Sequence, residues 1–368
     1  MPASVLLNCL VALEITLSKT RIATLRASVI NVGILAGLVI FYKFEYAGAL
    51  AWSYMVLLNL LAIFGMNRLM KEGHLLFDKC SAKLVISIAR EFLRRLRPFL
   101  ILPLAEQSNT WLERLLASHL ITGAIASIDY ARTLTDSSML LISHPIGWAI
   151  MAGTSHRQNQ TEQAISITKV VLATIVPASV FLFIFSTDIV RLIFYRGAFG
   201  DHGLAMTSQA LSGISIGLWA STLGWILLRF LNNIGRNKTT VVILLSSFVA
   251  NFLFNYSIQS VPSSVEEGVF LLGVGETVRS GILLFGCVFF LEYRTRIAYE
   301  IMKAIIPAVA MGVIGFCIHY YIDASIFRLV AALLGYSITV MLAVLILSPD
   351  IFLRLPKFLN ITAFRKGQ

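Results

Sequence analysis

Two apolar stretches, residues 98–119 and 122–153, carry ionisable side chains where hydrocarbon should surround them. Glu106, Glu113 and Arg114 lie in the first, Asp129, Arg132 and Asp136 in the second, with the turn Leu120-Ile121-Thr122-Gly123 between. An ionised group at bilayer depth costs at least roughly 2.5 kcal/mol, so such groups face a protein interior or a water-filled cavity. The chemistry open to them is electrostatic. A guanidinium such as that of Arg132 matches a phosphate bidentately, and a membrane carboxylate can hold a cation or a proton. A third apolar stretch adds Glu276 and Arg279, three residues apart. Each group also has a plainer fate. Arg132 can pair with Asp129 or Asp136 on its own helix, and Glu276 with Arg279. Glu113 and Arg114 are adjacent, hence about 100° apart, and cannot satisfy each other. Glu106 and Glu113 share a face, so one could bind an ion while the other pairs with Arg279. Asn251 and Asn255, four apart, also share a face and would glue helices as buried amides do. His144, beside Pro145 and Gly147, marks a kinked or adjustable helix.

Enzymatic readings find no support. There is no HExxH, no GxSxG and no Walker-type loop, so the chain is expected not to be an enzyme. Gly273-Val274-Gly275 lacks the third glycine and preceding strand of a dinucleotide site, and in an apolar span it allows close helix contact. The four cysteines fall in or beside apolar runs without metal-ligand spacing.

The elements that position these residues are membrane helices. Hydrophobic residues make up 57% of the 368, charged ones only 13%, far from the balance of a soluble domain. Runs of about 20 apolar residues recur along the chain, the length of a spanning helix. They predict ten spans at 25–42, 46–66, 98–119, 122–153, 165–186, 204–233, 238–259, 267–291, 301–322 and 326–347, preceded by a partial helix broken by Glu14. The net charge of +11 does not indicate nucleic acid, because the basic residues sit in alternate loops. With Lys19, Arg21 and Arg26 cytoplasmic, 23 of the 30 basic residues fall on the cytoplasmic side, as the positive-inside rule requires. Only Lys43, Arg191, Arg196 and Arg328 lie outside. Residues 78–97 read as an amphipathic helix lying flat on anionic membrane lipid. Residues 188–199 read as a short amphipathic segment at the outer interface, ending in a glycine turn.

Three stretches carry a resemblance. Trp111-Leu112-Glu113-Arg114-Leu115-Leu116-Ala117-Ser118-His119-Leu120 with Asp129-Tyr130-Ala131-Arg132-Thr133-Leu134 is similar to "D-R-x-x-A-S-x-L … Y-A-D-R-L". Residues 189–199, IVRLIFYRGAF, are close to "I-V-x-L-L-F-x-R-G-x-F". Gly217-Leu218 through Arg229-Phe230 and Asn237-Lys238-Thr239-Thr240 resemble "G-L … R-x-F-x-A … T-P". These are patterns of the MurJ (MviN) family of lipid II flippases, in the MOP exporter superfamily, and their order and spacing cover nearly the whole chain.

The resemblance implies an all-α polytopic bundle of MOP/MATE-like type, built from two six-helix lobes around a cationic cavity with two further C-terminal helices. By it, 1–66 is a remnant of the first lobe and 67–97 a cytoplasmic amphipathic linker. Residues 98–291 form the complete second lobe, 292–347 the two additional helices and 348–368 a cytoplasmic tail. Family members have fourteen spans, and this chain reads as starting inside the fourth, without the first-lobe arginines that hold the lipid pyrophosphate. The implied cargo is a lipid-linked saccharide pyrophosphate, moved across the bacterial inner membrane for peptidoglycan or surface polysaccharide. Arg132, Arg279 and Arg114 are the candidate contacts. The resemblance further implies Na⁺ as coupling ion, with Glu113, Asn251, Asn255 and Thr277 as ligands, and no other cofactor. The family's "A-D-R" reads Ala131-Arg132-Thr133 here, which sets the arginine one residue early. The alternative function is a non-transporting scaffold, or one half of a split flippase whose second chain supplies the missing N-terminal helices.

Overall fold

A computed structural model describes residues 2–17, 21–46, 48–73, 81–118, 123–153, 160–258 and 264–348; the C-terminal tail expected at 348–368 lies, apart from Ser348, outside them. Among the described residues there are thirteen helices and no strand, which is the expected all-α class. They divide into two compact units: α1–α3 with the start of α4 and the end of α5, and the remainder.

In the first unit, α1 (Pro2–Thr16), α2 (Arg21–Phe44) and α3 (Ala49–Lys71) close over Leu7, Leu10, Ile22, Leu58, Leu61 and Leu69. Glu14, a carboxylate in an otherwise apolar helix, is 2% exposed and accepts the backbone N–H of Ile22 at 2.6 Å. The first N–H groups of a helix have no partner within it, and the dipole there favours negative charge. Glu14 therefore serves the start of α2, which explains an acid that hydropathy reads only as an interruption.

The second unit takes in α4 (Ala82–Ser118) beyond its start, α5 (Ala124–Gly153) up to His144, and all that follows. The later helices are α6 (Gln160–Ile184), α7 (Ser186–Phe194), α8 (Asp201–Asn233), α9 (Asn237–Ser257), α10 (Val265–Phe289), α11 (Arg294–Lys303), α12 (Ile305–Tyr321) and α13 (Ser325–Leu347). Helix α8 lies at its centre, packed along α10 and α6, with α9 against α10 and the α12–α13 pair against α6. The core joins Leu116, Ile128, Phe185, Leu211, Leu218, Leu272 and Met311. Gly123 holds the turn into α5 with φ +100°, and Gly197, the expected glycine turn after α7, has φ +62°; both are left-handed conformations that side chains resist.

Eight described segments are long and apolar enough to cross a membrane. The remaining two expected spans are helices too, α4 and α5, which carry the charged residues. Two boundaries differ from expectation. The amphipathic segment and the span beginning at residue 98 are not separate, because α4 runs unbroken from Ala82 through Pro98 to Ser118. A proline removes one backbone donor, which a membrane helix tolerates. Conversely, the span expected at 301–322 is preceded by its own amphipathic helix, α11, and breaks at Ala304.

The α12–α13 turn is fastened to α7 by one arginine. Arg328 donates to the carbonyls of Ile322 (2.8 Å) and Asp323 (3.0 Å) and to the Asp188 carboxylate at 3.3 Å, which also accepts from Ser325 Oγ at 2.8 Å. Asp188 is 5% exposed. Asp188→Ala strands a largely buried guanidinium, so it is expected to lower stability by about 3 kcal/mol. Arg191→Ala, on the exposed side of the same helix, should lie within about 0.5 kcal/mol of the parent. Unfolding of both variants in detergent micelles checks the difference.

Candidate functional site

Four of the buried charges meet in one chain of contacts. Glu113 on α4, 4% exposed, accepts from the guanidinium of Arg132 on α5. Arg132 also stands 3.8 Å from Glu276 Oε2 on α10. The other oxygen of Glu276 accepts from Arg279, one turn further along α10. Acid and base alternate across three helices, so the group is neutral as a whole. Arg279 lies 5.7 Å over the ring of Phe248 on α9. Two atoms keep no hydrogen bond, Glu276 Oε2 and Arg279 Nε, so the group retains one acceptor and one donor not yet satisfied.

These pairings choose among the open readings. Arg132 takes neither Asp129 nor Asp136 as its hydrogen-bond partner; it reaches across to Glu113, which sequence reasoning did not pair with it. Arg279 pairs with Glu276, as local spacing suggested, rather than with Glu113; the Glu106 side chain, like that of His144, lies outside the described residues. Arg114 binds Asp129 at 3.1 Å, half exposed and apart from the buried four. Beside Glu113, Arg114, Asp129 and Arg132, the two helices leave a slit too narrow for a water molecule. Within this unit the charges are satisfied mainly by one another.

One turn before Glu113, buried Asn109 extends the polar face of α4. Its Oδ1 accepts from Asn251 Nδ2 at 2.9 Å, and Asn251 Oδ1 accepts from Asn255 Nδ2 at 2.8 Å. The ladder ends on Asn255 Oδ1, which is buried without a partner. Gly275 makes room for it, since a Cβ there would collide with that oxygen. The amide oxygens are of the kind a hard cation prefers, whereas the Glu113 carboxylate is already neutralised by Arg132. Thr277 does not join them. It faces α8, where its hydroxyl donates to the Gly213 carbonyl at 2.8 Å, because two residues along a helix turn the side chain by about 200° from Gly275. Asn109 was missed by sequence reasoning, although its spacing of four from Glu113 is the available signal.

A family model described as lipid II flippase MurJ matches residues 16–345. The chain belongs to the MurJ family. One curated relative, the "Probable lipid II flippase MurJ" of Aquifex aeolicus (strain VF5), is 26% identical over 205 residues, covering 55% of this chain. The chain spans 40% of that relative's length. Among solved structures, "Lipid II flippase MurJ, inward closed conformation" superposes with a TM-score of 0.62 at 18% identity, over 88% of this chain and 67% of the other. That likeness gives the fold alone, that of MurJ.

Proposed function

We propose that this chain takes part in moving a lipid-linked saccharide pyrophosphate, of the lipid II class, across the bacterial inner membrane. The observation that carries this reading is Glu276, whose two oxygens face two guanidiniums, Arg132 at 3.8 Å and Arg279 in direct contact. A carboxylate bridging two arginines occupies the place a phosphate would take, and guanidinium binds phosphate oxygens in the same forked manner. In this structure Glu113 and Glu276 hold the arginines; a diphosphate would displace the carboxylates and take the arginines over. Such a cargo shifts the balance of states only through its preference for the arrangement in which the carboxylates have let go. Arg114, paired with Asp129 and half exposed, would meet the head group outside the buried four. A sodium ion, when bound, would be held by Glu113, Asn251 and Asn255, and would supply a positive charge beside the carboxylate that Arg132 leaves.

The test is transport of a fluorescent lipid-linked diphosphate saccharide in vesicles containing the purified chain, compared with Arg132→Lys and Arg279→Lys. Lysine preserves charge but not the fork. We expect each to lower the initial rate about tenfold or more, the worth of one charge-assisted hydrogen bond. Parental rates in both variants would overturn the assignment of the arginines. If the chain is silent by itself but active with a second polypeptide bearing further helices, transport belongs to the pair.

A further inference from the structure

Apart from the buried charges, the start of α6 and helix α11 border a crevice of about 330 Å³, lined by Glu162, Lys169, Arg296, Tyr299 and Glu300 among others. That is at the lower end of the roughly 300–1,000 Å³ typical of small-molecule sites. Both walls belong to segments that the distribution of basic residues places on the cytoplasmic side, 156–169 and 292–303. On that topology the crevice would open near the lipid head groups.

Its floor is Glu300, 6% exposed. Lys169 Nζ stands 3.7 Å from one of its oxygens and Lys303 Nζ 3.6 Å from the other, both beyond hydrogen-bonding distance. Glu300 Oε2 is buried and accepts no hydrogen bond. At the rim, Arg296 binds Glu162 at 2.8 Å with both side chains largely exposed. The site thus holds three cations against two carboxylates, together with one sheltered acceptor wanting a donor. The excess positive charge favours a monoanion. The unpaired acceptor favours a neutral hydroxyl over an ammonium group, which the two lysines would repel. Beside the crevice Tyr299, Met302 and Ile306 are all more than half exposed, an apolar track along which acyl chains can lie.

We propose that this crevice binds the head group of a monoanionic phospholipid bearing free hydroxyls, of which phosphatidylglycerol is the simplest. Its phosphate lies against Lys169 and Arg296, and a head-group hydroxyl donates to Glu300 Oε2. Lipid bound there would bridge α6 and α11.

The full chain in detergent is titrated with phosphatidylglycerol and, separately, with phosphatidylmethanol, which has the same charge and no free hydroxyl, and binding is read by native mass spectrometry. Phosphatidylglycerol should be retained about tenfold better, as one hydrogen bond to a buried carboxylate provides. The doubly substituted Lys169→Gln, Arg296→Gln chain should lose retention of both lipids alike. Glu300→Met should abolish the preference between them; if that variant does not fold, the comparison of the two lipids on the parent decides the matter. Equal retention by the parent, or retention unchanged in the Lys169→Gln, Arg296→Gln chain, overturns the proposal. Competition by glycerol 3-phosphate at the concentration of the lipid would assign the site to a soluble phosphate ester and overturn it as well.

Discussion

Glu113→Gln alone is expected to destabilise the protein more than Glu113→Gln combined with Arg132→Gln. In the parent, Arg132 is held by Glu113 and by the more distant Glu276, with which it makes no hydrogen bond. Removing Glu113 leaves three charges, two of them positive, with the single carboxylate of Glu276 to serve both guanidiniums. Breaking a buried pair from one side typically costs about 3–5 kcal/mol, whereas removing both partners is often close to neutral. The double variant should recover at least about 2 kcal/mol of the loss, a coupling of the size found between residues in contact. Equilibrium unfolding in detergent micelles measures all corners of the cycle. Strict additivity would show that the two side chains do not share a buried bond. The exposed pair Arg114–Asp129 supplies the contrast: its cycle should yield at most about 1 kcal/mol and shrink with added salt, while the buried cycle should not respond to salt. Because the double variant also removes a guanidinium, it should fold yet fail in transport, which separates the structural role of Arg132 from its proposed role toward a phosphate.

The spans were legible because hydropathy and positive charge between them report the membrane directly, and a helix of about 20 apolar residues has few alternatives there. Even α4 and α5, interrupted by charges, were recoverable from length. Where one helix ends and another begins was less legible: the stretch 78–97 reads as a separate amphipathic piece, yet nothing in its periodicity says that α4 cannot continue through Pro98. The partner of Arg132 was legible in principle. Glu113 lies ten residues before Gly123 and Arg132 nine after it, so in a hairpin turning there both sit about 14 Å from the tip at 1.5 Å per residue. Reading each helix by itself, in steps of three and four, hides that equivalence and favours Asp129 and Asp136. The direction of Thr277 depended on which face of α10 meets α8 and which meets α9. Composition does not carry that, but the glycines do, as the contact of α8 with α10 shows.

Gly213→Ala and Gly217→Ala are expected to be strongly disruptive, and Gly281→Ala nearly silent. Gly213 and Gly217, four apart on α8, allow its backbone to lie directly on α10, the small-residue pattern by which membrane helices approach closely. A Cβ at 213 would press on the Phe270 carbonyl and reach within 3.1 Å of Gly273 Cα; one at 217 would come within 2.6 Å of Thr277 Cα. Neither obstacle is the flexible end of a side chain, so the helices must part. Parting them stretches the bond from Thr277 to the Gly213 carbonyl and displaces Glu276 and Arg279, which flank Thr277 on the same helix. Overpacking of this kind costs about 1–3 kcal/mol at each site, and the two changes together should exceed the cost of either. At Gly281 nothing lies within 4 Å of an added Cβ, so alanine there removes only backbone freedom and should be neutral or stabilising by up to about 1 kcal/mol. Thermal unfolding in detergent ranks the three variants. Were Gly213→Ala as stable as Gly281→Ala, α8 and α10 would not be in backbone contact, and α10 would no longer have the footing that sets Glu276 and Arg279 beside Arg132.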